Sequence, residues 1–165
     1  MNNALIDGFL SKAAGHFSGM SPKPPEDIPV VNDPTMWRLV IQQHPAERSG
    51  DHYDIRLVDG ITGKAHSWAT KKEMPGRGGK IKAFQTFTHT AEYADYQGPL
   101  DKGRGKTREG ASVTKVLDVP AEVIRADNNM IRFNTYRDGS PSQLLMVRDQ
   151  ESPGSWFLQN VGSGR

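Results

Sequence analysis

The densest chemistry in this chain lies between Gln42 and Leu57, where two histidines, an aspartate and an arginine form a pattern suited to a metal site beside a phosphate clamp. If residues 52–57 (His-Tyr-Asp-Ile-Arg-Leu) form a strand, side chains two apart share a face. His52, Asp54 and Arg56 then point one way, and Tyr53, Ile55 and Leu57 the other. Residues 38–44 (Arg-Leu-Val-Ile-Gln-Gln-His) read as a second strand, whose alternation puts Gln42 and His44 on one face. Residues 45–51 supply the Pro, Ser, Gly and Asp of a turn between them. Such a hairpin brings His44 beside His52 and Asp54. Two imidazoles and a carboxylate converging from paired strands make a facial ligand set for a divalent ion, with positions left for water and substrate. Arg56 follows just beyond. Its planar fork of donors matches phosphate oxygens, so a metal with an adjacent arginine points to phosphoryl-ester chemistry. The plainer alternatives are a structural histidine in a half-buried strand and an ordinary same-face ion pair between Asp54 and Arg56.

The elements that must position these groups are mostly strands. Residues 64–70 read as a third strand after the Asp59-Gly60 and Thr62-Gly63 turn signals, with Lys71 and Lys72 directly behind. Residues 81–89 alternate as a further strand ending in His89, and Tyr93 and Tyr96 come shortly after. Residues 111–119, 130–136, 143–148 and 155–161 are the remaining candidates, separated by Asp-Gly, Ser-Pro and Pro-Gly turns. Two glycine-rich basic stretches, residues 74–80 and 102–108, read as flexible loops that either track a nucleic-acid backbone or are simply solvated. Tyr93, Tyr96 and Trp68 could stack on a terminal nucleotide, although aromatic residues on strands more often belong to the core.

Composition bounds the rest. A chain of 165 residues with an apolar fraction of 35%, 17 Gly and 11 Pro suits one mainly β domain with a long-loop surface. There is no cysteine, so disulfides, thiolate metal sites and cysteine nucleophiles are excluded. A net charge of +2 makes clustering, not the total, the argument for a polyanionic partner. Without a run of about 18 apolar residues, no membrane span is expected. Residues 1–20 space Ala4, Leu5, Phe9, Leu10, Ala13, Ala14 and Phe17 as an amphipathic helix ending near Gly19, with too little arginine for a transit peptide. Residues 21–34 are broken by Pro22, Pro24, Pro25, Pro29 and Pro34 and read as a linker, leaving residues 35–162 as the domain. The expected setting is intracellular: cytoplasm or nucleoid, or the nucleus in a eukaryote.

Taken in order, Val40-Ile41-Gln42-Gln43-His44, His52-Tyr53-Asp54-Ile55-Arg56-Leu57, Asp59-Gly60, Ser67-Trp68-Ala69 and His89 with Glu92-Tyr93-Ala94-Asp95-Tyr96-Gln97-Gly98 resemble the 3′-phosphoesterase module of ligase-D-type DNA end-repair enzymes, here in a free-standing version. The resemblance implies a compact β barrel with peripheral helices and an active site in a crater on its surface. It implies that His44, His52 and Asp54 hold manganese. It further implies that Arg56, Gln42, Lys72, His89 and Tyr93 engage the phosphate or assist its transfer, with Lys80 or Lys82 in place of a family basic residue that falls on Ile81. The implied activity removes a 3′-terminal ribonucleoside, a 3′-phosphate, or both, to leave a 3′-hydroxyl. Its substrates would be DNA or RNA-tipped DNA 3′ ends, with a separate DNA ligase or polymerase of end joining as partner.

Two other classes fit parts of the pattern. His52-x-Asp54 with a distal His89 is also the facial triad of non-haem iron oxygenases, though His44 and the basic stretches then have no role. A nucleic-acid-end-binding module with weak or absent catalysis would keep the basic stretches and lose the metal. Among the site residues, His89 is expected to titrate near neutral pH and to act as general acid or contact the transition state, with Tyr93 hydrogen-bonding the phosphate.

Overall fold

The computed structural model describes residues 28–45, 51–99 and 112–162. The amphipathic helix expected at 1–20, the first half of the linker at 21–34 and the basic stretch at 102–108 lie outside the described residues. Within them the chain is mainly β, as its alternation and turn residues indicate. The strands are β1 (Trp37–His44), β2 (His52–Asp59), β3 (Lys64–Thr70), β4 (Lys80–Gln85), β5 (His89–Thr90), β6 (Gly98–Pro99), β7 (Ser112–Ala126), β8 (Met130–Arg137), β9 (Ser140–Arg148) and β10 (Ser155–Gly162). One short helix, α1 (Ala91–Ala94), follows β5.

Pairing runs β1-β2-β3-β4-β10-β9-β8-β7 and closes where β7 pairs back onto β1, giving an eight-stranded antiparallel barrel. Closure leaves these strands no free edge over most of their length. Inward residues of every wall meet in one core, which includes Leu39, Ile41, Ile55, Leu57, Trp68, Phe133, Met146, Trp156 and Leu158. Trp68 and Trp156 pack edge to face with ring centroids 6.0 Å apart, so Trp68 is core and not a stacking platform.

The turns follow the sequence signals. Asp138 and Gly139 both take positive φ, 51° and 77°, as a two-residue hairpin between β8 and β9 requires. Gly60 is needed for proximity: a Cβ there would lie 2.8 Å from the Met36 carbonyl oxygen, which accepts the Gly60 N–H at 2.7 Å.

Several expectations are corrected. The strand placed at 111–119 continues through Pro120 to Ala126. Pro120 pairs with Arg38 of β1, and pairing with β8 begins at Ala121. The strand placed at 81–89 is two, β4 and β5, both lying along β3. The basic stretch 74–80 is pinned, not loose: Gly78 N–H donates to Asn160 O at 2.8 Å, Asn160 N–H to Gly79 O at 3.0 Å, and Asn160 Nδ2 to Pro75 O at 3.1 Å. Residues 28–34 have no regular structure, as their prolines dictate, yet Ile28 and Val31 pack against the core. They lie on the barrel instead of spanning away from it.

Candidate metal centre

The outward faces of β1, β2 and β3 carry the chemistry. Antiparallel register sets His44 opposite His52, Gln42 opposite Asp54, Asp54 opposite Ala69 and Arg56 opposite Ser67. This register makes His44 and His52 neighbours whatever path residues 46–50 take. The expected alternation holds, with Ile55 and Leu57 in the barrel interior. The outward face is equally dry, since His44, Asp54 and Arg56 are each 1% exposed and His52 and His89 3%. Part of this face is covered by α1. Ala94 packs on Val40, Val58 and Ala65, and Tyr93 on Ala69.

Ligand atoms of His44, His52 and Asp54 all lie within 4.8 Å of one another. His44 Nδ1 faces His52 Nε2 at 3.1 Å, and His52 Nε2 lies 3.6 Å from Asp54 Oδ1. Nitrogen and oxygen ligands about 2.1 Å from one ion stand roughly 3.0–3.4 Å apart when adjacent; the histidine pair falls in that range, and His52 and Asp54 stand slightly wider, so a shared cation would draw them together. Asp54 Oδ1 is buried and accepts no hydrogen bond among the described residues. A buried carboxylate oxygen left in that state is costly unless a cation or donor meets it. The three residues therefore could hold a divalent ion. His89 stands outside the converging set, so the triad of an iron oxygenase, His52, Asp54 and His89, is not the one that comes together.

Arg56 sits beside this cluster with every nitrogen engaged. Nε donates to Gln42 Oε1 at 2.5 Å, Nη1 to Ser67 Oγ at 2.7 Å and Nη2 to Asp54 Oδ2 at 3.3 Å. The same-face ion pair and the ligand cluster thus coexist, each taking one oxygen of Asp54. Burial pushes the Asp54 carboxyl up, but Arg56, then His52, His44 and His89, together hold it below the usual carboxylate range.

Gln42 is a brace. Its Nε2 donates to the carbonyls of Tyr93 at 3.0 Å and Tyr96 at 2.9 Å, while its Oε1 holds Arg56. Tyr93 lies with its ring 4.9 Å from the Arg56 guanidinium carbon and 5.0 Å from the His89 ring.

His89 reaches this face through an irregularity. Ala69 pairs with Phe84 and Trp68 with Gln85, a register that would continue to Thr88 opposite Ala65. The observed partner of Ala65 is His89. One extra residue near Phe87 therefore turns His89 outward, as a β-bulge does. The neutral-pH titration expected of His89 does not hold: burial, then the charge of Arg56, pushes it down to about 3. It stands here as a neutral imidazole with one N–H to give.

The expected lysines gather next door. A cavity of about 380 Å³ is lined by Thr70, Lys71, Lys72, Lys80, Ile81, Lys82 and Phe84. Phe84 neighbours Ala69, which neighbours Asp54, so this groove lies two strands, about 10 Å, from the cluster on the same outward face. Lys80 and Lys82 rest their ammonium groups over Phe157 and Phe84, 5.0 and 5.6 Å from the ring centroids. Structure thus unites Gln42, His44, His52, Asp54, Arg56, His89 and Tyr93 in one buried site, and places Lys72, Lys80 and Lys82 in an exposed annex to it.

Three contributors have no role assigned from the sequence. Ser67 fixes the Arg56 plane, and its position opposite Arg56 in strand register is the signal that could have found it. Arg38 and Asp95, a bridge between β1 and the end of α1, left no local signal. Compared with protein-family models and with curated proteins, the chain matches none. No helix among the described residues is long and apolar enough to cross a membrane.

Proposed function

We propose that this protein is a metal-dependent phosphoesterase that heals DNA 3′ ends, removing a 3′-terminal ribonucleoside, a 3′-phosphate, or both, to leave a 3′-hydroxyl. The observation that carries the reading is the convergence of His44, His52 and Asp54 within 4.8 Å beside an arginine whose fork is already aimed at Asp54. The sequence resemblance selects the substrate class and favours manganese over the other ions that imidazole and carboxylate ligands suit.

A bound divalent ion would polarise a nonbridging phosphoryl oxygen. Arg56, its plane fixed by Gln42 and Ser67, supplies directed positive charge to the oxygens of the phosphoryl group. Tyr93 offers a phenolic donor to the same group. Lys72, Lys80 and Lys82 draw in the polyanionic strand and hold its backbone. His89 is neutral in the closed site, and an arriving phosphate dianion favours its protonated form. Water attacks phosphorus as the bond to the departing oxygen breaks, and His89 gives that oxygen its proton as general acid.

A specific observation favours a second reading, a nucleic-acid-end-binding module with little catalysis. Arg56 is 1% exposed, and its nitrogens already donate within the protein. One experiment separates the two: incubate the protein with manganese and a DNA primer-template bearing a 3′-phosphate. Phosphate release that disappears in His52→Ala and Arg56→Ala supports the phosphoesterase. Binding without release sinks it in favour of the second reading.

A further inference from the structure

The turn that carries Tyr93 has no means of its own to stay in place. At 4 residues, α1 falls far short of the roughly 12–15 residues at which an isolated helix becomes even marginal in water. Besides the packing of Ala94 and Tyr93 and the Ala91 N–H given to Gly63 O at 2.8 Å, three polar side chains hold it. At its start Thr90 Oγ1 accepts the Tyr93 N–H at 3.2 Å, and beneath it Gln42 takes the Tyr93 and Tyr96 carbonyls. At its end Asp95 reaches across to the adjacent barrel wall.

That last contact is a closed quartet. Arg38 grips Asp95 with both terminal nitrogens, Nη1 to Oδ1 at 2.8 Å and Nη2 to Oδ2 at 3.2 Å. Lys115 Nζ donates to Asp95 Oδ1 at 3.3 Å. Both cations also donate to Asp118 Oδ2, each at 3.0 Å, so two positive and two negative groups satisfy one another.

Lys115 is present because β7 breaks register. Ile41 pairs with Leu117, and the next residue, Gln42, pairs with Lys115, which leaves Val116 as the extra residue of a bulge. Without it Val116 would stand opposite Gln42, and Lys115 would face the barrel interior. Bulges of this kind re-aim side chains next to functional sites. Partly exposed ion pairs add little to global stability, whereas a bidentate arginine–carboxylate pair fixes orientation well. The device is therefore better suited to setting the place of α1 than to holding the barrel together.

We infer that the Arg38–Asp95–Lys115–Asp118 quartet is a latch that seats α1 on the metal cluster, making Asp95 a positioning residue for Tyr93 and, through their ring contact, for His89. Its purpose rests on the phosphoesterase reading; its mechanical role is measured without activity. The test compares full-length wild type with Asp95→Asn, Arg38→Ala and Arg38→Lys by amide hydrogen exchange, manganese titration and steady-state phosphate release from the 3′-phosphate primer.

In Asp95→Asn and Arg38→Ala, the Tyr93 and Asp95 amides exchange about tenfold faster while those of β2 keep the wild-type rate. The kcat falls about tenfold to hundredfold, as expected when a catalytic group is misplaced, with KM and manganese affinity unchanged, and Arg38→Lys recovers part of both losses. Unchanged exchange at 91–96, or faster exchange with an unchanged kcat, overturns the inference. A wild-type protein that releases no phosphate overturns the phosphoesterase reading instead, and the exchange rates then decide the latch alone.

Discussion

Strands β1, β2 and β3 are dry on both faces, and the two faces have opposite chemistry. Inward, Leu39, Ile41, Ile55, Leu57 and Trp68 fill the barrel; outward, Gln42, His44, His52, Asp54, Arg56 and Ser67 are just as inaccessible. The inner face is explained by the hydrophobic effect alone. The outer face is not. Desolvating a carboxylate, a guanidinium and two imidazoles is unfavourable, and their pairing at best offsets that penalty. A barrel needing only stability would be served as well by apolar residues there, which accords with the proposed role of the polar layer.

Substitutions on the two faces test this contrast. The largest effect is expected inside: Trp68→Ala removes the ring that meets Trp156 and costs about 3–5 kcal/mol by denaturant unfolding. Outside, Arg56→Ala leaves Asp54 buried without its counter-charge and costs about 3 kcal/mol, but an apolar double replacement, Asp54→Leu with Arg56→Met, stays within about 1 kcal/mol of wild type or exceeds it. A double variant as damaged as the single one would make the outer face a structural layer. Manganese at a hundredfold excess over its Kd raises wild-type stability by about 2.7 kcal/mol. The same addition leaves His52→Ala and the double variant unmoved, whereas equal stabilisation of all three would place the ion elsewhere.

A further effect is confined to acid. His89 is pushed down to about 3 in the fold, below the value near 6.5 of an unfolded histidine. The stability it contributes is complete above about pH 6.5 and declines towards pH 3, because the unfolded chain takes up a proton that the folded site refuses. The slope it adds is at most about 1.4 kcal/mol per pH unit. His89→Phe should flatten the unfolding profile across that window, and an unchanged profile would show that His89 titrates normally.

The contrast between faces was legible in the sequence; the cover over the outer face was not. Alternation in residues 52–57 assigned each side chain its face, and the turn residues before His52 implied the register that joins it to His44. Three devices left no trace. A helix of 4 residues shows no period. The bulges at Val116 and near Phe87 each shift register by one residue, and plain alternation from Ala83 would have sent His89 into the core. The Arg38–Asp95 pair joins positions 57 residues apart, and nothing local announces a contact at that range. Sequence pattern therefore found the groups that could bind an ion, and missed the parts that bury and aim them.

The proposed function turns on whether one ion sits among His44, His52 and Asp54. Anomalous diffraction from crystals grown with manganese measures this directly. The expected result is a single strong peak about 2.2 Å from His44 Nδ1, His52 Nε2 and Asp54 Oδ1, absent in crystals of His52→Ala. No peak there, with manganese found only at surface carboxylates, would contradict it.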